Sequence, residues 1–308
     1  MQRYTKRIVR FLGFALLACS LTLVSPMGIW PFELLQALAL QVAMVGMLIL
    51  ILCIATRQWM SAVSSLAATT LICWHLHPYQ PFIHEATEAE RNLTVGVFNV
   101  YHHNENYTEG IATMLGQDCD VMAFLEVSPA WDFALTGALE HVYPYSIRVP
   151  QNSCCYGMSL YSRLPMVADT VLHFTRDPVI KVAVSLDGND VEVWSVHTRP
   201  PIFPNDTEER NFLLNQVASE IAASIRPSLL IGDLNIVPWA KEFKQLKAVS
   251  GMDDSRRGFL ATYPMDLRIP LIPIDHILHT EAFYTTFCRT VEIPGSDHKG
   301  LVAGLKWR

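Results

Sequence analysis

The sequence has little charge. Asp, Glu, Lys and Arg make up 17% of its 308 residues, against about 25% in an average soluble protein. With 51% hydrophobic residues, this excludes a disordered chain, which needs low hydrophobicity and high net charge. Cysteine is sparse: seven residues are too few for a disulfide scaffold, and none has metal-site spacing. Fifteen glycines and 18 prolines exclude collagen-like and low-complexity chains. A basic excess is also missing. The 23 Lys and Arg against 29 Asp and Glu leave −6, which gives no electrostatic footprint for tight nucleic-acid binding.

What charge there is lies unevenly. Residues 1–90 hold five basic residues (Arg3, Lys6, Arg7, Arg10, Arg57) and four acidic ones (Glu33, Glu85, Glu88, Glu90). Residues 91–308 hold the other 18 basic and 25 acidic residues, a net of −7. The chain therefore divides into an apolar module, 1–90, and an acidic domain, 91–308, long enough for one large core. In the module, Ile8–Val24, Leu34–Thr56 and Met60–Leu76 read as about three transmembrane helices, since a span needs roughly 20 apolar residues. Basic residues before the first span and Arg57 after the second mark the cytoplasmic side. Three spans then place the domain in the periplasm or outside the cell, on an inner-membrane anchor. Without the third span the domain faces the cytoplasm, and the first segment also fits a cleaved signal. Near-absence of ionisable residues within the spans, His75 apart, argues against a transporter or channel. Each cysteine, Cys119, Cys154, Cys155 and Cys288 in the domain included, is expected as a buried thiol, although an oxidising compartment permits bridges.

Within 91–308, short β-like runs alternate with helical ones. Strands are expected at Leu93–Val100, Val121–Glu126, Tyr156–Ser162, Lys181–Leu186, Val191–His197, Ser228–Leu234, Ile274–His279, Ala282–Val291 and Gly300–Lys306. Helices are expected at Glu109–Gly116, Pro129–Glu140 and Trp239–Ser250, and from an Asn205 or Asp206 cap to about Ile225. Such a mixture predicts two stacked sheets with helices outside. Polar residues fall where the apolar runs give way to turns. Asn99, Glu126 and His197 end three runs; Asp233 and Asn235 follow Leu229-Leu230-Ile231-Gly232; Asp275 sits in Ile274-Asp275-His276; Asp297 and His298 sit in Gly295-Ser296-Asp297-His298. Each alone has an ordinary explanation as a turn cap or a hydrogen-bonded histidine, but six in this order are hard to assign to caps.

Gly232-Asp233-Leu234-Asn235, Ile274-Asp275-His276, Gly295-Ser296-Asp297-His298 and the run Tyr156–Arg163 carry a resemblance that covers nearly all of 91–308. The domain resembles the endonuclease/exonuclease/phosphatase superfamily, which includes pancreatic deoxyribonuclease, abasic-site endonucleases, bacterial sphingomyelinases and inositol-polyphosphate phosphatases. The resemblance implies a four-layer α/β sandwich preceded by the N-terminal transmembrane helices. It implies Glu126 as principal ligand of Mg²⁺ or Mn²⁺, with Asn99 and Asp297 beside the metal or phosphate. Asp233 and Asn235 then face the phosphate, His298 is the general base oriented by Asp275, and His197 holds phosphate or protonates the leaving oxygen. Tyr101 stands where several relatives carry Asp, which favours ligation of one metal through Glu126. His102 and His103 are expected on the rim, pointing apart as neighbours on a strand do.

The chemistry asks for the same residue types. A hard cation on carboxylates neutralises a phosphodiester. A neutral imidazole takes the water's proton while a carboxylate fixes its tautomer, and a charged one stabilises the leaving oxygen. A carboxamide donates to a phosphoryl oxygen without adding charge. The expected activity is metal-dependent hydrolysis of a phosphodiester that is lipid-linked, a small molecule or nucleic acid. The alternatives are an extracytoplasmic nuclease and a non-catalytic membrane-tethered binding module. The partners expected are the phosphodiester and the lipid bilayer. The apolar loop Pro200-Pro201-Ile202-Phe203-Pro204 is expected either to graze lipid or to pack on the domain.

Overall fold

The computed structural model describes residues 2–25, 30, 32–79, 91–152, 155–265 and 271–308. Glu85, Glu88, Glu90 and Cys154, all used above, lie outside the described residues.

The N-terminal module is helical: α1 (Gln2–Val24), α2 (Phe32–Ala37), α3 (Ala39–Ala55) and α4 (Trp59–Leu76), then a 3-10 turn at His77–Tyr79. Among the described residues one helix, Tyr4–Val24, is long and apolar enough to cross a membrane. The expectation of about three such helices is corrected on length and composition. The uncharged run from Leu34 breaks at Leu38 (φ −96°, ψ 19°), which splits it into six-residue α2 and 17-residue α3. The α4 helix dilutes its apolar residues with Ser61, Ser64, Ser65, Thr69 and Thr70.

The domain folds into two six-stranded mixed sheets flanked by helices. The first sheet comprises β1 (Leu93–Asn99), β2 (Val121–Leu125), β3 (Tyr145–Val149), β4 (Met158–Ser162), β11 (Phe283–Glu292) and β12 (Lys299–Trp307), in the order β11-β12-β1-β2-β4-β3. The second comprises β5 (Met166–Leu172), β6 (Val179–Leu186), β7 (Asn189–His197), β8 (Ser228–Asp233), β9 (Asp253–Asp254) and β10 (Asp275–His279), in the order β5-β6-β7-β8-β10-β9. The expected strands form; β3, β5 and the two-residue β9 are additional. β3 and β5 are largely solvent-facing, so neither carries an apolar run that would reveal it.

Strand alternation builds the layers. Leu93, Val95 and Val97 of β1 face inward and pack with Ile180, Val182, Val193, Leu229 and Ile231 of the other sheet. Phe98 and Phe124 face outward, against Ile111 and Met114 of α5 (Tyr107–Leu115) and Trp131 and Leu135 of α6 (Pro129–Leu139). Trp194 and Leu230 cover the opposite outer face with Leu213, Leu214 and Val217 of α7 (Pro204–Ala223) and Phe243 of α8 (Lys241–Ser250). Each such fully buried side chain contributes about 1.5–3 kcal/mol. The α7 helix starts two or three residues earlier than expected: Pro204, with its φ already helical, takes the first position, and Phe203 rather than Asn205 or Asp206 is the N-cap residue.

Two parallel pairs aim the sandwich at its site. β1 pairs with β2 across the α5 crossover, and β7 with β8 across α7. Their C-terminal ends lie at the same edge, where side chains from both sheets line one cleft.

Candidate active site

Strand register places the polar residues side by side. His197 of β7 is level with Asp233 of β8, and Asp233 is level with Asp275 of antiparallel β10. The row is completed from the other sheet, where Asp275 Oδ2 accepts a 2.9 Å hydrogen bond from His298 Nδ1. His298 is held by its own loop: Ser296 Oγ donates to the Asn99 carbonyl at 2.7 Å and accepts from the His298 N–H at 3.0 Å. Asp233 Oδ2 lies 3.8 Å from both His197 Nε2 and His298 Nε2.

Glu126 sits opposite, just beyond β2, at φ +62°. Its Oε1 accepts from Asn99 Nδ2 and its Oε2 from the His102 N–H, each at 3.0 Å. Asn99 also accepts from the Tyr101 N–H at 3.0 Å. It is thus engaged at both ends and braces the carboxylate. Tyr101 (φ +61°) and Asn235 (φ +46°) take the left-handed conformation as well. Three non-glycine residues in that region at one site is the kind of strain that surrounding packing must hold in place. Asn235 is fixed by its N–H to Asp233 Oδ1 at 2.9 Å and by its Nδ2 to the Thr198 carbonyl at 2.8 Å. Behind Asp233, Gly232 runs so near β7 that a Cβ would meet the Val196 carbonyl oxygen at 1.7 Å; any side chain there would push the two strands apart.

Burial and crowding set the charges. Burial pulls the His298 imidazole down, but Asp275, by its charge and hydrogen bond, followed by Asp233 and Asp297, reverses this and lifts it to about 10. Burial lowers His197 to about 4, against the charge of Glu126. Its ring is therefore neutral near pH 7, which disfavours the charged form expected of it. Burial, then the charge of Asp275, holds Asp233 well above the usual carboxylate range.

The eight expected residues all lie at this edge, and Asp297, half-buried, lines the cleft with Glu126, His197, Asp233, Asn235 and His298. His102 and His103 lie in a turn rather than on a strand, because Tyr101 turns the chain; their rings stand nearly perpendicular, 5.2 Å apart. Several neighbours were not expected. Tyr156 packs on the His197 ring at 5.0 Å and Tyr263 on His298 at 4.7 Å. His276 points away from the cleft, where its Nε2 bonds the Ile236 carbonyl at 2.7 Å. Arg210 of α7 donates to the Asn235 carbonyl at 3.0 Å and pairs with Glu33 of α2, both buried. Glu33 opening a long uncharged run was the one sequence signal for that pair. The loop at Pro200 leaves Ile202 and Phe203 half or more exposed, and the Trp30 indole donates to the Pro201 carbonyl at 3.1 Å. Cys73 and Cys155 are exposed and Cys19 and Cys288 half-buried, against the expectation of buried thiols, while Cys53 and Cys119 are buried as expected.

The donor set fits a hard cation. One ligand atom each from Asp233, Asp275 and His298 lie within 4.8 Å of one another. Asp275 Oδ1 is buried without a hydrogen-bond partner among the described residues. The Asp233 carboxyl, raised by burial and then by the charge of Asp275, is a group whose ionised form a cation would favour. Glu126, with each oxygen accepting a single N–H, keeps lone pairs for such an ion.

Two stacked sheets with an acid- and imidazole-lined cleft at the ends of their central strands define the class of protein. The Endonuclease/Exonuclease/phosphatase family model matches residues 96–298, and the chain belongs to that family. Its members are typically phosphoester hydrolases and generally use a divalent metal. No curated protein matches the sequence. Among solved structures, the endonuclease/exonuclease/phosphatase from Beutenbergia cavernae is 20% identical, with a TM-score of 0.60 over 71% of this chain and 72% of that one. D. rerio TDP2 complexed with single strand DNA product is 16% identical, with a TM-score of 0.59 over 70% and 98%. Sphingomyelinase C from Streptomyces griseocarneus is 17% identical, with a TM-score of 0.52 over 69% and 98%. At these identities the likeness is one of fold.

Proposed function

We propose that this chain is a membrane-anchored, divalent-metal-dependent phosphodiesterase. The observation that carries the reading is the row His197, Asp233, Asp275 and His298, set opposite Glu126 in one cleft on the family's fold. Glu126, with Asp297 and Asn99 beside it, would hold Mg²⁺ or Mn²⁺, and the ion would supply charge neutralisation at the phosphoryl oxygens. Asn235 donates its second amide N–H to a phosphoryl oxygen. His298, once neutral, takes a proton from water, the water oxygen bonds to phosphorus, and the ester P–O bond breaks. Asp233, whose carboxyl is raised by burial and then by the charge of Asp275, returns a proton to the leaving oxygen beside the His197 ring, 3.8 Å away. Asp275 raises the proton affinity of His298, so the rate rises with pH as that proton is lost.

Membrane anchorage is supported by the helical module. Its helices α1, α3 and α4 bury Val9, Leu16, Ile49, Cys53 and Ala68 against one another, while Phe11, Met44, Leu48, Ile51 and Leu66 face outward. So large an apolar exterior suits lipid rather than water. At about 1.5 Å per residue α1, with 23 residues, is roughly 35 Å long, enough to cross the bilayer core. One end of the bundle gathers Arg7, Arg10 and Arg57, with Arg10 donating to Gln58 at 3.0 Å. At the other end, the Tyr79 hydroxyl donates to the Pro238 carbonyl of the domain at 3.0 Å. One pass through Tyr4–Val24, with the basic residues at its start in the cytoplasm, puts the domain in the periplasm or outside the cell.

The test is hydrolysis of bis(p-nitrophenyl) phosphate by the full chain in detergent. Activity should require Mg²⁺ or Mn²⁺ and vanish with chelator. Glu126→Gln should lose at least 100-fold and need more metal while melting as the wild type does. Full activity of that variant across a metal titration would refute the ligand assignment.

A further inference from the structure

The catalytic cleft is not built by the family domain alone. It encloses about 360 Å³, within the range of about 300–1,000 Å³ for small-ligand sites. One half carries the charged row. The other is apolar, and two of its lining residues, Leu34 and Ala37, belong to α2, outside the region that matches the family. Ile202, Val237, Ala240 and Ile272 line the same half.

The α2 helix is held to the domain by directed bonds as well as packing. Glu33 and Arg210 form a buried ion pair, and Asn211 Nδ2 donates to the same carboxylate at 3.4 Å. The Trp239 indole donates to the Gln36 carbonyl at 2.7 Å. At the start of α3, Gln41 Nε2 donates to the Leu271 carbonyl at 3.0 Å. A buried ion pair is weak support for stability by itself but fixes geometry when both partners are present. Here it fixes a wall. Arg210 is the one Lys or Arg lining the cleft among the described residues, and Glu33 already neutralises it. Among the described residues a polyanion would thus find no unpaired Lys or Arg lining the cleft, whereas a hydrocarbon chain would find Leu34, Ala37, Ile202, Val237, Ala240 and Ile272.

We infer that α2 is part of the substrate site, and that the apolar half of the cleft receives the hydrocarbon chain of an amphiphilic phosphoester whose phosphate sits at the charged row. This rests on the hydrolase reading above. The chain is the occupant because these apolar residues line the same cleft as the reacting row and two of them come from the segment that joins two helices of the anchor. Leu34 and Ala37 are then specificity-determining residues, supplied by the anchor to the domain.

The experiment uses the full chain in phosphatidylcholine nanodiscs with p-nitrophenyl alkyl phosphodiesters carrying methyl, butyl, hexyl and octyl chains, below their aggregation limits. Chain burial should raise kcat/KM by up to about fourfold per methylene until the half-cleft is filled. Ala37→Phe, which fills the space, and Leu34→Ser, which makes the wall polar, should each flatten this dependence towards one, whatever their absolute rates. Melting curves identify a variant that fails to fold, and the two variants are chemically opposite, so either suffices. No hydrolysis of any ester by the wild type would sink the hydrolase reading itself. Hydrolysis with no chain-length dependence, or a single-stranded oligonucleotide preferred over the octyl ester, would overturn the inference and leave that reading standing. A steep dependence untouched in both variants would place the chain elsewhere and overturn the role of α2.

Discussion

Replacing Asp275 by asparagine removes the charge partner of His298 and keeps a side chain of the same shape. Burial alone would take the His298 ring below its ordinary 6.5; Asp275, 2.9 Å from Nδ1, does most to lift it to about 10 instead. At about 1.4 kcal/mol per pH unit, that rise corresponds to roughly 5 kcal/mol in favour of the charged ring. The folded value exceeds the unfolded one. This stabilisation is therefore complete below about pH 6.5 and is lost as pH rises through about 10. The metal-free wild type should lose up to ~5 kcal/mol of stability over that window, a slope that Asp275→Asn should largely lack. The direct assay is ¹⁵N NMR of labelled histidines in the full chain in micelles with chelator, with the His298 signal assigned by its absence in His298→Gln. The wild-type ring should titrate near 10 and the Asp275→Asn ring below 6.5. A wild-type ring titrating near 6.5, or one unmoved by the substitution, would refute the electrostatic account of the dyad.

Arg210→Met should cost about 3–5 kcal/mol, because it leaves the Glu33 carboxylate buried and unpaired; thermal melting should show Glu33→Leu with Arg210→Met recovering most of it, and equal melting of single and double variants would count against the pairing. Protease added outside intact spheroplasts should digest the domain without lysis. A domain protected until lysis would reverse the proposed orientation.

Much of the site is legible because strand alternation and strand ends are local properties. Asn99, Glu126, His197, Asp233 and Asp275 each stand where an apolar run meets a turn, and parallel or antiparallel register alone makes three of them neighbours. What was not legible depends on distance or on weak local signals. Nothing within the uncharged run from Leu34 marks Leu38 as the break between α2 and α3. Tyr156 and Tyr263 reach the two imidazoles through tertiary packing, for which sequence spacing holds no cue. The neutral state of His197 likewise follows from complete burial, a property of the assembled sheets. β3 and β5, open to solvent, lack the pattern that announces a buried strand.

The Glu33–Arg210 pair also has a consequence in time. The two residues are 177 positions apart, so at about 5–20 residues per second the carboxylate precedes its partner by roughly 10–35 s during synthesis. A carboxylate does not stay dry without a partner. Through that interval the α2 end of the helical module must remain hydrated, and it seals only when α7 folds. The junction between the helices and the sandwich is thus a late event, and a chain interrupted before Arg210 carries an open, water-filled seam in place of the wall.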